Sequence, residues 1–119
     1  MNDNRPIFLQ IIDNIESDII TGIYNVDDLI ISTTQISKLY AVNPTTAVKA
    51  ISKLNDAGIL YKKRGIGMCV AKGAKEIITK RRREEFLSTT IDTFLKESKT
   101  LGFTVEELIP MLKEKQERM

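Results

Sequence analysis

Ser32-Thr33-Thr34-Gln35-Ile36-Ser37-Lys38-Leu39-Tyr40-Ala41-Val42-Asn43-Pro44-Thr45-Thr46-Ala47-Val48-Lys49-Ala50-Ile51-Ser52-Lys53-Leu54-Asn55-Asp56-Ala57 is the stretch that decides the fold. It reads as two short helices joined by a tight turn. Ser32 followed three residues later by Gln35 has the spacing of a capping box, in which each side chain satisfies the other residue's free backbone N–H. That opens a helix over about residues 33–39. Tyr40-Ala41-Val42 makes the connection. Asn43 is placed to cap the next helix, and Pro44 suits its first position because the N–H it lacks has no partner there anyway. Gly58 is a natural stop. The spacing predicts that Ile36, Leu39, Val42, Val48, Ile51 and Leu54 turn inward, with Thr45, Thr46, Lys49 and Lys53 outward. An apolar seam with an outer face of hydroxyls and lysines is what a helix-turn-helix unit requires, its second helix being the one that enters a major groove.

Beyond Gly58 the period changes from helical to alternating. Ile59-Leu60-Tyr61 and Met68-Cys69-Val70-Ala71 are β-type runs on either side of Lys62-Lys63-Arg64-Gly65-Ile66-Gly67. This predicts a hairpin with a basic, glycine-bearing tip. A hairpin directly after a recognition helix is the wing of a winged helix, and its cations suit phosphates. The Gly-x-Gly is not a nucleotide loop, since it lacks the strand-to-helix setting and the Lys-Ser/Thr ending.

Before the central stretch, residues 6–21 carry Ile7, Leu9, Ile11, Ile12, Ile15, Ile19 and Ile20 at mostly helical spacing. Asp13, Glu16 and Asp18 are expected on or near the wet face of that helix. Leu29-Ile30-Ile31 is expected as a short strand. After Gly73, a long helix is predicted over about residues 74–101, with a charged collar of Lys80-Arg81-Arg82-Arg83-Glu84-Glu85. Thr104 and Glu107 form a second capping box for a last helix, in which Pro110 is expected to kink the helix or remove a hydrogen bond. These C-terminal helices are too short to enclose a core of their own. Their apolar residues Ile78, Phe86, Leu87, Ile91, Phe94, Leu95, Leu101 and Leu108 need a cover, and a second copy of the chain is the simplest one.

The overall reading is mainly α with a small β-wing. Residues 1–72 form a winged helix-turn-helix and residues 73–119 a two-helix dimerisation segment. A net charge of +2 over 119 residues conceals an uneven distribution. Residues 1–28 carry one basic and six acidic groups, residues 29–73 seven basic and one acidic, and residues 74–119 ten basic and nine acidic. The positive field thus falls on the helix-turn-helix and wing, the footprint of a nucleic-acid binder. There is no histidine and one cysteine, Cys69. No nucleophile–base or metal constellation is present, so an enzyme, a cofactor and a metal are not expected. No apolar run is long enough to span a membrane and no signal-like segment is present, which gives an expected cytoplasmic location.

Several stretches together resemble the GntR-type winged-helix transcription regulators, most of all their short YtrA-like subfamily. They are Pro6-Ile7-Phe8-Leu9-Gln10-Ile11, Asn43-Pro44-Thr45-Thr46, Leu54-Asn55-Asp56-Ala57-Gly58-Ile59-Leu60 and Lys63-Arg64-Gly65-Ile66-Gly67-Met68. The resemblance implies a dimeric repressor of a nearby operon, often one encoding a transporter, without a large effector domain. Where the family commonly has Pro-Ser-x-Arg, this chain has Ile31-Ser32-Thr33-Thr34. Lys49 stands where arginine is common and Cys69 where an aromatic is usual. The expected DNA contacts are Ser32, Thr33, Thr34, Asn43, Thr45, Thr46, Lys49, Lys53, Lys62, Lys63, Arg64 and Gly65. The expected partners are double-stranded DNA with an inverted-repeat operator and a second copy of the chain. No residue set identifies an effector. The alternative is a winged-helix adaptor that binds protein and has no DNA target.

Overall fold

A computed structural model describes residues 4–119. Helix α1 (Ile7–Ile20) is followed by α2 (Thr33–Tyr40) and α3 (Pro44–Asp56), then strands β1 (Leu60–Lys63) and β2 (Gly67–Val70). Helix α4 (Ala74–Glu85) runs into a π-helical turn (Phe86–Thr90), which α5 (Ile91–Thr100) and α6 (Val105–Glu117) follow. The helix expected over about 74–101 is thus helical from Ala74 to Thr100, with one π-helical turn inside it that neither composition nor apolar spacing marks. The chain divides into two compact units, one ending at Arg81 and the other comprising Arg82–Met119.

In the first unit, α3 packs against α1, α2 and β1. Ile11, Ile15 and Ile19 recur every four residues on α1 and point at one face, because that spacing nearly completes a helical turn. They meet Ile36 of α2, Ala47, Ala50, Ile51 and Leu54 of α3, and Ile30, Ile59, Leu60 and Val70 around the hairpin. Ala74 and Ile78 of α4 complete this core, which carries the first unit past residue 72 into α4. Full burial of a side chain the size of isoleucine contributes about 1.5–3 kcal/mol.

The local signals behave largely as their chemistry dictates. Both halves of the Ser32–Gln35 capping box form, with Gln35 N–H donating to Ser32 Oγ at 3.1 Å and Ser32 N–H donating to Gln35 Oε1 at 2.9 Å. The turn after α2 is made by Ala41 at φ 53°, a left-handed conformation that L residues other than glycine seldom take. Asn43 occupies the N-cap of α3 but makes no side-chain cap bond, so Pro44 at the first position carries that boundary. The hairpin pairs Leu60 with Val70 and Lys63 with Gly67. Leu29 adds only an isolated bridge to Cys69 rather than a full strand. The segment is nonetheless tied to β2 by Ile30 N–H donating to Met68 O and Val70 N–H to Asp28 O, each at 3.0 Å.

Three expectations about direction are corrected. Leu39 and Val48 are 70% and 49% exposed, not inward. The buried stripe of α3 is built on Ala47 and Ala50 instead, whose small side chains let neighbouring helices approach closely. Glu16 is fully buried, not on the wet face. Arg81 reaches it from α4 with a guanidinium–carboxylate contact of 2.5 Å, which supplies the opposite charge a buried carboxylate needs. Ile78, assigned to a dimer face, is fully buried in the core of its own chain.

The second unit is built differently. Its α6 opens with the expected box, Thr104 Oγ1 accepting from Glu107 N–H at 3.2 Å. Pro110 lies inside α6. Among the described residues of this unit only Ser98 is buried, and its hydroxyl donates to Phe94 O within α5.

Candidate nucleic-acid interface

Three elements of the first unit carry the residues expected to contact DNA. On α3, Thr45, Lys49 and Lys53 are exposed and Thr46 is half-buried. The burial of Ala47, Ala50, Ile51 and Leu54 forces this, since the opposite arc of a helix must face solvent. Lys49 is not free in space. Its Nζ lies 4.0 Å from the centre of the Phe8 ring, and that of Lys53 lies 5.8 Å from the same centre. A cation over an aromatic face is attracted by the ring's quadrupole. Phe8, on the first turn of α1, thus gathers both lysines of the recognition face. The sequence reading missed this, although Phe8 was visible as an aromatic next to α1's apolar stripe.

The second element is the wing. Lys62 and Lys63 lie in β1 rather than in the loop, and Arg64 and Gly65 form the turn, where Ile66 N–H donates to Lys63 O at 3.0 Å. All four are exposed. Gly67 has φ +137°, and a Cβ placed there would come within 3.0 Å of Leu29 Cδ1, so this glycine permits the close approach of the 27–30 segment to the hairpin.

The third element is the start of α2. Thr34 is exposed and Thr33 half-buried, and Ser32 carries the capping box. The free N–H groups and dipole at a helix N-terminus favour an anion. A cavity of about 240 Å³ is lined by Ser32, Thr33 and Gln35 together with Ile66, Gly67 and Met68, so the start of α2 and the wing are neighbours. Tyr61 also ties the wing to the segment before α2, its hydroxyl donating to Asp27 Oδ1 at 2.7 Å. That hydrogen bond, with desolvation and the negative charge of the carboxylate, pushes the Tyr61 phenol up to about 12.

The apolar residues assigned to dimerisation separate by unit. Phe86, Leu87, Leu95 and Leu101 are exposed in the second unit, and Ile91, Phe94 and Leu108 are half-buried. Val105, Ile109, Met111 and Leu112 of α6 are also exposed and had not been singled out. Among the described residues no cluster of His, Cys, Asp or Glu could hold a metal, and no helix is long and apolar enough to cross a membrane.

Helix α2, a tight left-handed turn, helix α3 and an antiparallel hairpin define a winged helix-turn-helix. Comparison with known proteins takes this class to a family. A transcriptional regulator of the GntR family from Bacteroides thetaiotaomicron is 37% identical, with a TM-score of 0.77 over 95% of this chain and 98% of that one. The HTH-type transcriptional regulator YhcF of Bacillus subtilis is 28% identical over 92% of this chain and 89% of its own. The DNA-binding domain of AraR, solved in complex with an operator, is 30% identical, with a TM-score of 0.55 over 60% of this chain and 86% of that one. No protein-family model matches the chain. The chain belongs to the GntR family and is a DNA-binding transcription regulator rather than an enzyme.

Proposed function

We propose that this chain is a repressor of the short, YtrA-like kind, acting in the cytoplasm as a homodimer on an inverted-repeat operator near its own gene, with transporter genes as the class of target. In this reading the N-terminal part of α3 enters a major groove. Thr45, Thr46 and Lys49 face base edges, while Ser32, Thr33, Thr34, Asn43, Lys53, Lys62, Lys63, Arg64 and Gly65 lie along the phosphates. Residues 73–119 supply the pairing segment, through Phe86, Leu87, Ile91, Phe94, Leu95, Leu101 and Leu108.

The observation that carries the proposal is the set of exposed cations on α3 and the wing, in a stretch, residues 29–73, that holds seven basic groups and one acidic one. The operator complex of AraR supports duplex DNA as the ligand. Phosphate neutralisation releases counterions, so the logarithm of affinity should fall with the logarithm of salt at about −0.9 per phosphate contacted. A fluorescence-anisotropy titration with DNA flanking the gene is expected to give a slope steeper than about −2. A flat response would overturn the assignment of these cations to phosphates, and no binding to that DNA would overturn the placing of the operator near the gene.

A further inference from the structure

Helix α3 carries one large apolar side chain that its packing does not use. Ala47, Ala50, Ile51 and Leu54 make the buried stripe, and Val48 stands outside it, half in solvent. At about 100° per residue, Val48 shares a ridge with Thr45 before it and Ser52 after it, both exposed. This ridge bears two hydroxyls around a branched hydrocarbon and no charge. Lys49 and Lys53 are drawn instead toward the Phe8 ring, on the flank away from Val48.

A single exposed valine is ordinary on a protein surface. Its place is what distinguishes this one: the second turn of the helix that meets the groove, between two groups able to hydrogen-bond. A hydrocarbon gives a phosphate nothing, because phosphates are held by cations and N–H or O–H donors. On the major-groove edge of B-DNA, the one apolar group on offer is the C5 methyl of thymine. Resting on the reading of α3 as the helix that enters the groove, we infer that Val48 is a specificity-determining residue that packs against a thymine methyl. It selects a T·A pair at one position of each half-site, with Thr45 and Ser52 beside it able to bond to neighbouring base edges or phosphates. This assigns part of the sequence preference to shape and apolar contact, on a face where the basic residue is a lysine and not a bidentate arginine.

The test uses the full chain and a duplex it selects from a randomised pool. Each thymine of the selected half-site is replaced in turn by deoxyuridine, which removes the methyl and keeps every hydrogen-bonding group. One thymine per half-site is expected to lose about four-fold in affinity on replacement, the factor that corresponds to about 0.8 kcal/mol for one buried methyl. Val48→Ala should abolish that difference while leaving the response at other positions unchanged. Because Val48 lies outside the core, this variant should melt at the parental temperature, which is checked in parallel. Specific binding with no methyl-sensitive thymine, or a methyl effect of equal size in Val48→Ala, overturns the role of Val48 and leaves the DNA-binding reading intact. A chain that selects no duplex overturns the placing of α3 in a groove, and this inference with it.

Discussion

Ile36 and Ile78 of the first unit have no exposed surface, whereas Leu87 and Leu101 of the second expose about two thirds of theirs (65% and 66%). Both units are rich in apolar residues, but only the first folds them around one another. Its helices cross, and a hairpin and the start of α4 close the remaining sides. The second unit offers α5 and α6, with a capping box at the start of α6 and i,i+4 ion pairs such as Lys96–Asp92. Pairs of that kind contribute about 0.3–0.5 kcal/mol each. The difference teaches that apolar content does not locate stability; closure does. In the single chain, cooperative stability belongs to the winged helix, and the apolar groups of the second unit remain available to a cover.

The strongest way to break this comparison is to truncate one leucine in each unit. Leu54→Ala should cost about 2–5 kcal/mol, the transfer term plus a cavity. Leu101→Ala should cost less than about 1 kcal/mol when unfolding is followed by urea at high dilution, where no second copy is engaged. Equal losses under those conditions would mean that the second unit has a core of its own.

A smaller effect is expected at Glu16. Removing one partner of a buried charged pair is severe when the other stays buried, but Arg81 is 40% exposed in its side chain and can turn to water. Glu16→Ala should therefore cost about 1–3 kcal/mol. Amide hydrogen exchange should localise the loosening to the last turn of the first unit, around Ile78 to Arg81. Uniform loosening across α2 and α3 instead would show that Glu16 serves the whole core.

The mildest test concerns Tyr61, and it bears on the wing alone. Its phenol is raised from 10.0 to about 12 in the folded chain by donating to Asp27. The folded state thus favours the protonated form. The stabilisation is fully present below about pH 10 and is lost as pH rises through about 12. Spectrophotometric titration of tyrosine absorbance should show one phenol ionising late, and Asp27→Ala should bring it back toward 10.0. Stability at neutral pH should scarcely respond to pH through this group, and a late phenol that persists in Asp27→Ala would assign the shift to another cause.

The elements of the first unit were legible because their boundaries are written in local chemistry. Ser32 with Gln35, Pro44 and Gly58 act within one helical turn of themselves, and the basic hairpin shows as a change of period. Directions within short helices were less legible. A reading that weighs residue size puts Leu39 and Val48 inside, while the helix crossing selects Ala47 and Ala50 because they are small. Glu16 was misplaced because its partner, Arg81, lies 65 residues away and no local pattern announces it. The π-helical turn was invisible for a related reason: Phe86 to Thr90 contain no proline or glycine, so nothing in the residues themselves breaks the helix. Of the proposed DNA face, Thr45, Lys49, Lys53 and the wing cations were read from the chain, but the clustering of both lysines on Phe8 required α1 and α3 to be seen side by side.

Cys69 is the only cysteine in the sequence, and it is buried in β2, opposite Tyr61 and bridged to Leu29. A thiol reagent can reach that sulfur only while the sheet is parted. The chain therefore carries its own stopwatch: the rate of thiol labelling counts how often the wing comes open, without any probe having to be added to the protein.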